Sequence, residues 1–204
     1  MAETTSVLVM GFEAFGGEEL NSSWEAIRLL PDIIEGHQIE RLRLPVEFGR
    51  SGDLACEAVR ALNPAAIIAV GEASGRAHLT IERIAVNIMS ASIPDNAGIQ
   101  PQGEPIISDG PDGYLSTLPI DRCVESCREA CVPAEPSQTA GLYVCNQVMY
   151  RLLHDQAMSH RNVPTGFVHV PNLPEQVLCR PGTPFSPADL SSRGIAAIIA
   201  ACLC

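Results

Sequence analysis

Ala65-Ala66-Ile67-Ile68-Ala69-Val70, running into Gly71-Glu72-Ala73-Ser74-Gly75-Arg76, decides the class of this fold. Six consecutive apolar residues without alternation are what a strand covered on both faces requires. Ser6-Val7-Leu8-Val9-Met10 repeats the pattern near the start of the chain and breaks at Gly11-Phe12-Glu13-Ala14-Phe15-Gly16-Gly17. That loop lacks the glycine spacing of a dinucleotide-binding turn. Between the two runs, Asn21-Ser22-Ser23 supplies caps for a helix through Leu30, which Pro31 stops. Ile39, Leu42, Leu44 and Val46 read as a further strand, with Arg41 and Arg43 on its other face. Leu54, Ala55, Ala58, Val59 and Leu62 form an amphipathic helix ended by Asn63-Pro64.

Further along, Leu79 to Ile88 alternates like a third strand, with Glu82 and Arg83 embedded in it. Residues 92–119 are dense in Pro, Gly and Asp and read as a long ordered loop or lid. A helix around Arg122 to Cys131 leads to a connection over Pro133–Pro136. Phe167-Val168-His169-Val170 is a short strand closed by Pro171. Ser186-Pro187-Ala188-Asp189 opens a last helix, with Ile195, Ile198, Ile199 and Cys202 on its buried face. Strands alternating with helices predict one three-layer α/β/α domain over residues 1–204, built on a twisted, mostly parallel mixed sheet. In such sheets sites gather at the carboxyl ends of the strands.

Of the 204 residues, 46% are apolar and 18% charged, the balance of a compact protein rather than a disordered one. The net charge of −11, with no Lys/Arg cluster, argues against nucleic acid and against an anionic membrane surface. No apolar run reaches the roughly 18 residues of a membrane span. Met1 to Thr5 lacks the basic region of a leader, so a cytoplasmic address with reduced thiols is expected. Cys123, Cys127 and Cys131 fall on one helical face as small core residues. No His interleaves them and no Cys-x-x-Cys occurs, so no metal site is expected. Cys202 and Cys204 end the chain, where a crosslink or a reactive thiol has room to form, while Cys56 and Cys179 carry no motif.

Cys145 is different. Thr139-Ala140-Gly141 reads as a tight turn, Leu142-Tyr143-Val144 leads into Cys145, and Val148, Met149, Leu152 and Leu153 then repeat at helical spacing. A thiol at a helix start meets free N–H groups and the positive dipole end, which favour the nucleophilic thiolate and could hold an oxyanion. A small buried residue is the plainer reading of a lone Cys, so partners decide. His37, His78, His154 and His160 lie in polar surroundings and read as surface residues. His169, at the end of an apolar strand, is the candidate base, and Glu82 or Asp95 its orienting carboxylate. A carboxylate within the apolar stretch around Glu82 is costly unless paired, and Arg83 or Arg76 would serve equally as a structural partner.

Six stretches in order carry a resemblance. They are Gly11–Gly17 with Asn21-Ser22-Ser23-Trp24, Gly71–Arg76, Ile81–Asn87, Ile93-Pro94-Asp95-Asn96, Tyr143-Val144-Cys145-Asn146, and Gly166–Pro171. Together they resemble the pyroglutamyl peptidase I family of cysteine peptidases. The resemblance implies Cys145 as nucleophile, His169 as base and then acid, and Glu82 as orienter of the imidazole. It implies hydrolysis of the amide bond after an N-terminal pyroglutamyl residue of peptides, without metal or cofactor, by a homotetramer or homodimer. Phe12, Phe15 and Tyr143 match aromatics that hold the flat lactam ring, with Glu72 and Ile93 at the same pocket. A lactam has no charged amine, so apolar walls and a few backbone hydrogen bonds suit it.

Three positions depart from the pattern: Ala14 where relatives usually have Pro, Glu72 where they have Gln, and Ser92 where they have Arg. The last two make the site less electropositive. They leave open a related cysteine amidase acting on another small blocked amine, or a weakly active protein that binds pyroglutamyl groups.

Overall fold

The computed structural model describes residues 5–203. In chain order the elements are β1 (Ser6–Phe12), α1 (Ser22–Ile27), β2 (Ile33–Ile34), β3 (His37–Leu44), α2 (Arg50–Leu62), β4 (Ala66–Glu72) and β5 (Leu79–Glu82). Four small ribbon strands come next: β6 (Ile84–Val86), β7 (Met89–Ser90), β8 (Gln102–Glu104) and β9 (Gly113–Leu115). The chain then forms α3 (Ile120–Glu129), β10 (Ala134–Ser137), α4 (Val144–Met158), β11 (Thr165–Val170) and α5 (Ala188–Leu203).

Among the described residues seven strands make the central sheet, in the order β10-β5-β11-β4-β1-β3-β2. Strands β1, β3, β4 and β11 run parallel, while β5 and β10 run against β11, and β2 against β3. The sheet is therefore mixed and mostly parallel, as expected. Alternation along each strand divides the core in two. Val7, Val9, Ile68, Val70, Ile81, Val168 and Val170 face the side covered by α1, α3 and α5. Leu8, Met10, Ile67, Ala69 and Phe167 face the side covered by α2 and α4. Helices on both faces explain why β1 and β4 read as unbroken apolar runs.

Several local readings change. Ile39 shares a face with Arg41 and Arg43, not with Leu42 and Leu44, because a period of two separates odd from even positions. Arg41 donates to the carbonyls of Ile27 and Leu30, closing the end of α1, and Arg43 lies over the Trp24 ring at 5.6 Å. Helix α1 itself ends at Ile27, short of Leu30. The stretch Leu79–Ile88 is not one strand: β5 belongs to the central sheet, and after Arg83 the chain leaves it to pair β6 with β9. Pro133–Pro136 is more than a connection, since β10 pairs with β5 from Ala134 to Ser137. Pro136 is tolerated because β10 is an edge strand.

Residues 92–119 are built around the β7–β8 and β6–β9 ribbons. Cys131 falls beyond α3 with φ +57°, so only Cys123 and Cys127 are buried from that triplet. His154 is half-buried rather than free on the surface: its ring stacks on Tyr150, and its Nδ1 lies 2.9 Å from the Tyr114 hydroxyl.

Candidate active site

Strand β11 places His169 on the α4 side of the sheet, two residues after Phe167. Its neighbours across the strands are Gly71 on β4 and Thr80 on β5. Glu82, at the end of β5, is fully buried. Its Oε1 accepts from His169 Nδ1 at 2.7 Å and from the Arg76 guanidinium at 2.6 Å. Both partners weighed for Glu82 are thus real at once, although Arg83 turns away to Asp121. Asp95 plays another part. Its carboxylate accepts from the backbone N–H groups of Phe48, Ala97 and Ile99, which folds its own loop.

Helix α4 starts at Val144, and Cys145 sits in its first turn beyond Gly141, whose φ of +77° suits glycine. Among the described residues no side chain caps this helix end, so its amides remain available to a ligand. The sulfur lies directly above β4. A Cβ on Gly71 would stand 2.9 Å from Cys145 Sγ and 2.9 Å from the Phe167 ring. Since Gly71 is the strand neighbour of His169, Cys145 and His169 meet over the same spot.

A cavity of about 290 Å³ opens there. Phe12, Phe15, Tyr143 and Glu72 line it together with Cys145 and His169. Ile93 does not. It is 43% exposed and stands against Gly16 on the outside of the Phe15 loop. Its segment meets the site through the Tyr143 hydroxyl, which donates to Pro94 O at 3.0 Å, and through Asn96 N, which donates to Val46 O at 2.9 Å. Ser92 is exposed on the same segment.

Asn21, Val46 and Ala140 line the cavity without having been singled out for it. Asn21 is also the helix cap that the sequence predicts. Arg76 joins the cavity wall as well as pairing with Glu82. The Glu72 carboxylate borders the cavity but is occupied by three donors: Ser22 N at 2.8 Å, Gln176 Nε2 at 2.9 Å and Asn172 Nδ2 at 3.0 Å.

The electrostatics reverse one expectation. Burial, followed by the Glu82 carboxylate, pushes the Cys145 thiol up to about 12. Its own amide and Arg76 oppose this, and Glu72 adds the smallest upward push. The helix start therefore does not by itself make a thiolate. Burial also lowers the pKa of His169, outweighing the Glu82 carboxylate that raises it. The resting pair is a neutral thiol and a neutral imidazole. Among the described residues no group of three His, Cys, Asp or Glu is placed to hold a metal ion. All seven cysteines among them are free. Cys202 Sγ lies 4.0 Å from Cys123 Sγ, and Cys204 lies outside the described residues.

The pyroglutamyl peptidase family model matches residues 5–203. The chain belongs to the pyroglutamyl peptidase family. Among relatives, the pyrrolidone-carboxylate peptidase of Finegoldia magna is 43% identical over 189 residues, spanning 93% of this chain and 89% of that protein. The protein of the same name from Escherichia fergusonii is 46% identical over 191 residues, with the same coverage. Among solved structures, pyroglutamyl peptidase I of Bacillus amyloliquefaciens superposes with a TM-score of 0.93 at 39% identity, covering 98% of this chain and 96% of that one. A mutant pyrrolidone carboxyl peptidase from Pyrococcus furiosus gives 0.93 at 38%, covering 98% of both. The six ordered stretches of sequence thus belong to one pyroglutamyl peptidase scaffold.

Proposed function

We propose that this chain is a pyroglutamyl peptidase in which Cys145 attacks, His169 moves the proton and Glu82 orients His169. The observation that carries the residue roles is the sulfur of Cys145 lying over Gly71, the strand neighbour of an imidazole bound to a buried carboxylate. Glu82 holds Nδ1 as the protonated nitrogen, so Nε2 is the acceptor. A peptide whose pyroglutamyl ring fills the cavity between Phe12, Phe15 and Tyr143 brings its carbonyl to the sulfur. As the thiol attacks, His169 takes its proton, and the oxyanion forms beside the uncapped amides of α4. His169 then returns the proton to the leaving amine. Water, activated by the same imidazole, hydrolyses the acyl-enzyme. A neutral imidazole is the competent base for a thiol that burial keeps protonated.

Peptides with N-terminal pyroglutamate are the proposed substrates, and the whole chain acts as one catalytic domain. A nucleophile that must stay reduced suits a reducing compartment, the cytoplasm. Among the described residues no helix is long and apolar enough to cross a membrane. Exposed Ile33, Leu115, Leu178 and Phe185 give apolar surface that assembly as a homodimer or homotetramer would bury.

The test is release of a chromophore from pyroglutamyl, prolyl and alanyl amides, with and without iodoacetamide. Only the pyroglutamyl amide should turn over, and alkylation should abolish it. Cys145→Ser and His169→Ala should each lose about as much activity as the double variant, because members of such a set act as a unit. Additive losses, or a Cys145→Ser variant within a few-fold of wild type, would refute the assignment.

A further inference from the structure

We infer that Arg76 is a positioning residue of this site, tying the carboxylate that orients His169 to the turn that aims Cys145. The inference rests on the function proposed above and adds a residue to it. One nitrogen of the guanidinium, Nη1, reaches Glu82 Oε1, Thr80 Oγ1 and Ser137 Oγ. The other, Nη2, donates to Thr139 O at 3.1 Å. Glu82 needs this. Its Oε2 is buried with no partner among the described residues, so the carboxylate is fixed entirely through Oε1. Without Arg76 it would be tethered only to the imidazole that it is meant to hold still.

The second end of the clamp is equally specific. Ser137 Oγ donates to Thr139 O, and Gly141 N donates to Thr139 Oγ1, so the segment held by Arg76 is the hydrogen-bonded turn that enters α4. Three residues separate Gly141 from Cys145. One planar fork thus spans the gap between the base's orienter and the nucleophile's helix. A lysine ammonium, being a single point, cannot reach both ends. The guanidinium also lines the cavity, with its side chain 28% exposed. From there its charge disfavours imidazolium on His169 and favours thiolate on Cys145.

The experiment uses Arg76→Gln and Arg76→Lys in the full chain, with urea unfolding to measure how much fold stability each has lost. On a pyroglutamyl amide, kcat should fall on the order of ten-fold or more in both variants while KM moves less than about two-fold, because alignment rather than binding is lost. In Arg76→Gln both acid–base partners lose a cation, so the ascending limb of kcat/KM against pH should move to higher pH. Arg76→Lys keeps the charge and should hold that limb near its wild-type position.

The rate of Cys145 alkylation by iodoacetamide against pH should shift in parallel. That readout works even if wild type cleaves no pyroglutamyl amide, which would sink the proposed function separately. An unmoved limb in Arg76→Gln, with kcat either near wild type or reduced only in step with lost stability, would overturn the inference.

Discussion

Gly71 governs where the sulfur can sit. It lies one residue before the end of β4, with no positive φ to demand glycine. What demands it is space: any Cβ would meet Cys145 Sγ and the Phe167 ring at 2.9 Å, closer than real side chains approach. Gly71→Ala should therefore move the sulfur or the ring. A displacement near 1 Å costs up to about a hundred-fold in rate when the reacting groups are otherwise intact. The overpacking should cost roughly 1–3 kcal/mol of stability. Steady-state kinetics alongside urea unfolding check this, and a Gly71→Ala enzyme with wild-type kcat would mean that the sulfur works from another position.

At the same scale, Cys145 shows how two effects of known sign are ranked. A helix start favours thiolate by a fraction of a dipole, whereas removing a charge from water and placing it near Glu82 opposes it more strongly. The sequence displays the helix start and hides the burial.

Among the elements, α4 and the ribbon excursion between Arg83 and Leu118 depend on two asparagines. Asn146 Oδ1 accepts from Val86 N at 2.9 Å, and its Nδ2 donates to the carbonyls of Val86 and Ile88. Asn87 makes the matching contacts with Ile107 and Gly110. Removing the Asn146 amide leaves backbone groups unpaired next to Cys145, so Asn146→Ala should cost about 1–3 kcal/mol. It should also speed hydrogen exchange in residues 84–90 more than in β1 or β4. Uniform exchange across the chain in that variant would show that the ribbons are held by other contacts.

Much of this level was legible. Apolar runs revealed β1, β4 and β11, and the turn before Cys145 revealed the start of α4. The failures have physical causes. Leu79–Ile88 keeps a strand's alternation through Arg83, although its two halves belong to different sheets, and alternation says nothing about partners. Strand β10 contains Pro136 and little apolar sequence, because an edge needs less of either constraint. In the site, a helix start marked Cys145 and apolar surroundings marked His169 and Glu82 as candidates, while the choice of Glu82 over Asp95 came from the family resemblance. Val46 and Ala140 could not be named, since ordinary residues become pocket walls only through tertiary placement.

For the molecule as a whole, burial of ionisable groups sets the pH range in which it is stable. His169 has a folded pKa below its ordinary 6.5, so the unfolded chain binds more protons there. Stability contributed by keeping that imidazole neutral is complete above 6.5 and is lost as pH falls through and below that value. Cys127 and Cys145 act at the other end. Their folded pKa values stand at about 12 against an ordinary 9.0, so their contribution is complete below 9.0 and is lost as pH rises towards 12.

Cys127 gives the cleanest test, being fully buried under α5, with its thiol donating to Gly194 O, and away from the active site. At pH 10, one unit above 9.0, ionisation of that thiol in the unfolded chain should cost about 1.4 kcal/mol. Cys127→Ala should lower stability at neutral pH by opening a small cavity, yet decline less than wild type between pH 7.5 and pH 10. The measurement is urea unfolding at both pH values, under reductant and at constant ionic strength. An alkaline decline in Cys127→Ala as steep as that of wild type would mean that the thiol is solvated in the folded chain, and that α3 and α5 pack less tightly there than the structure shows.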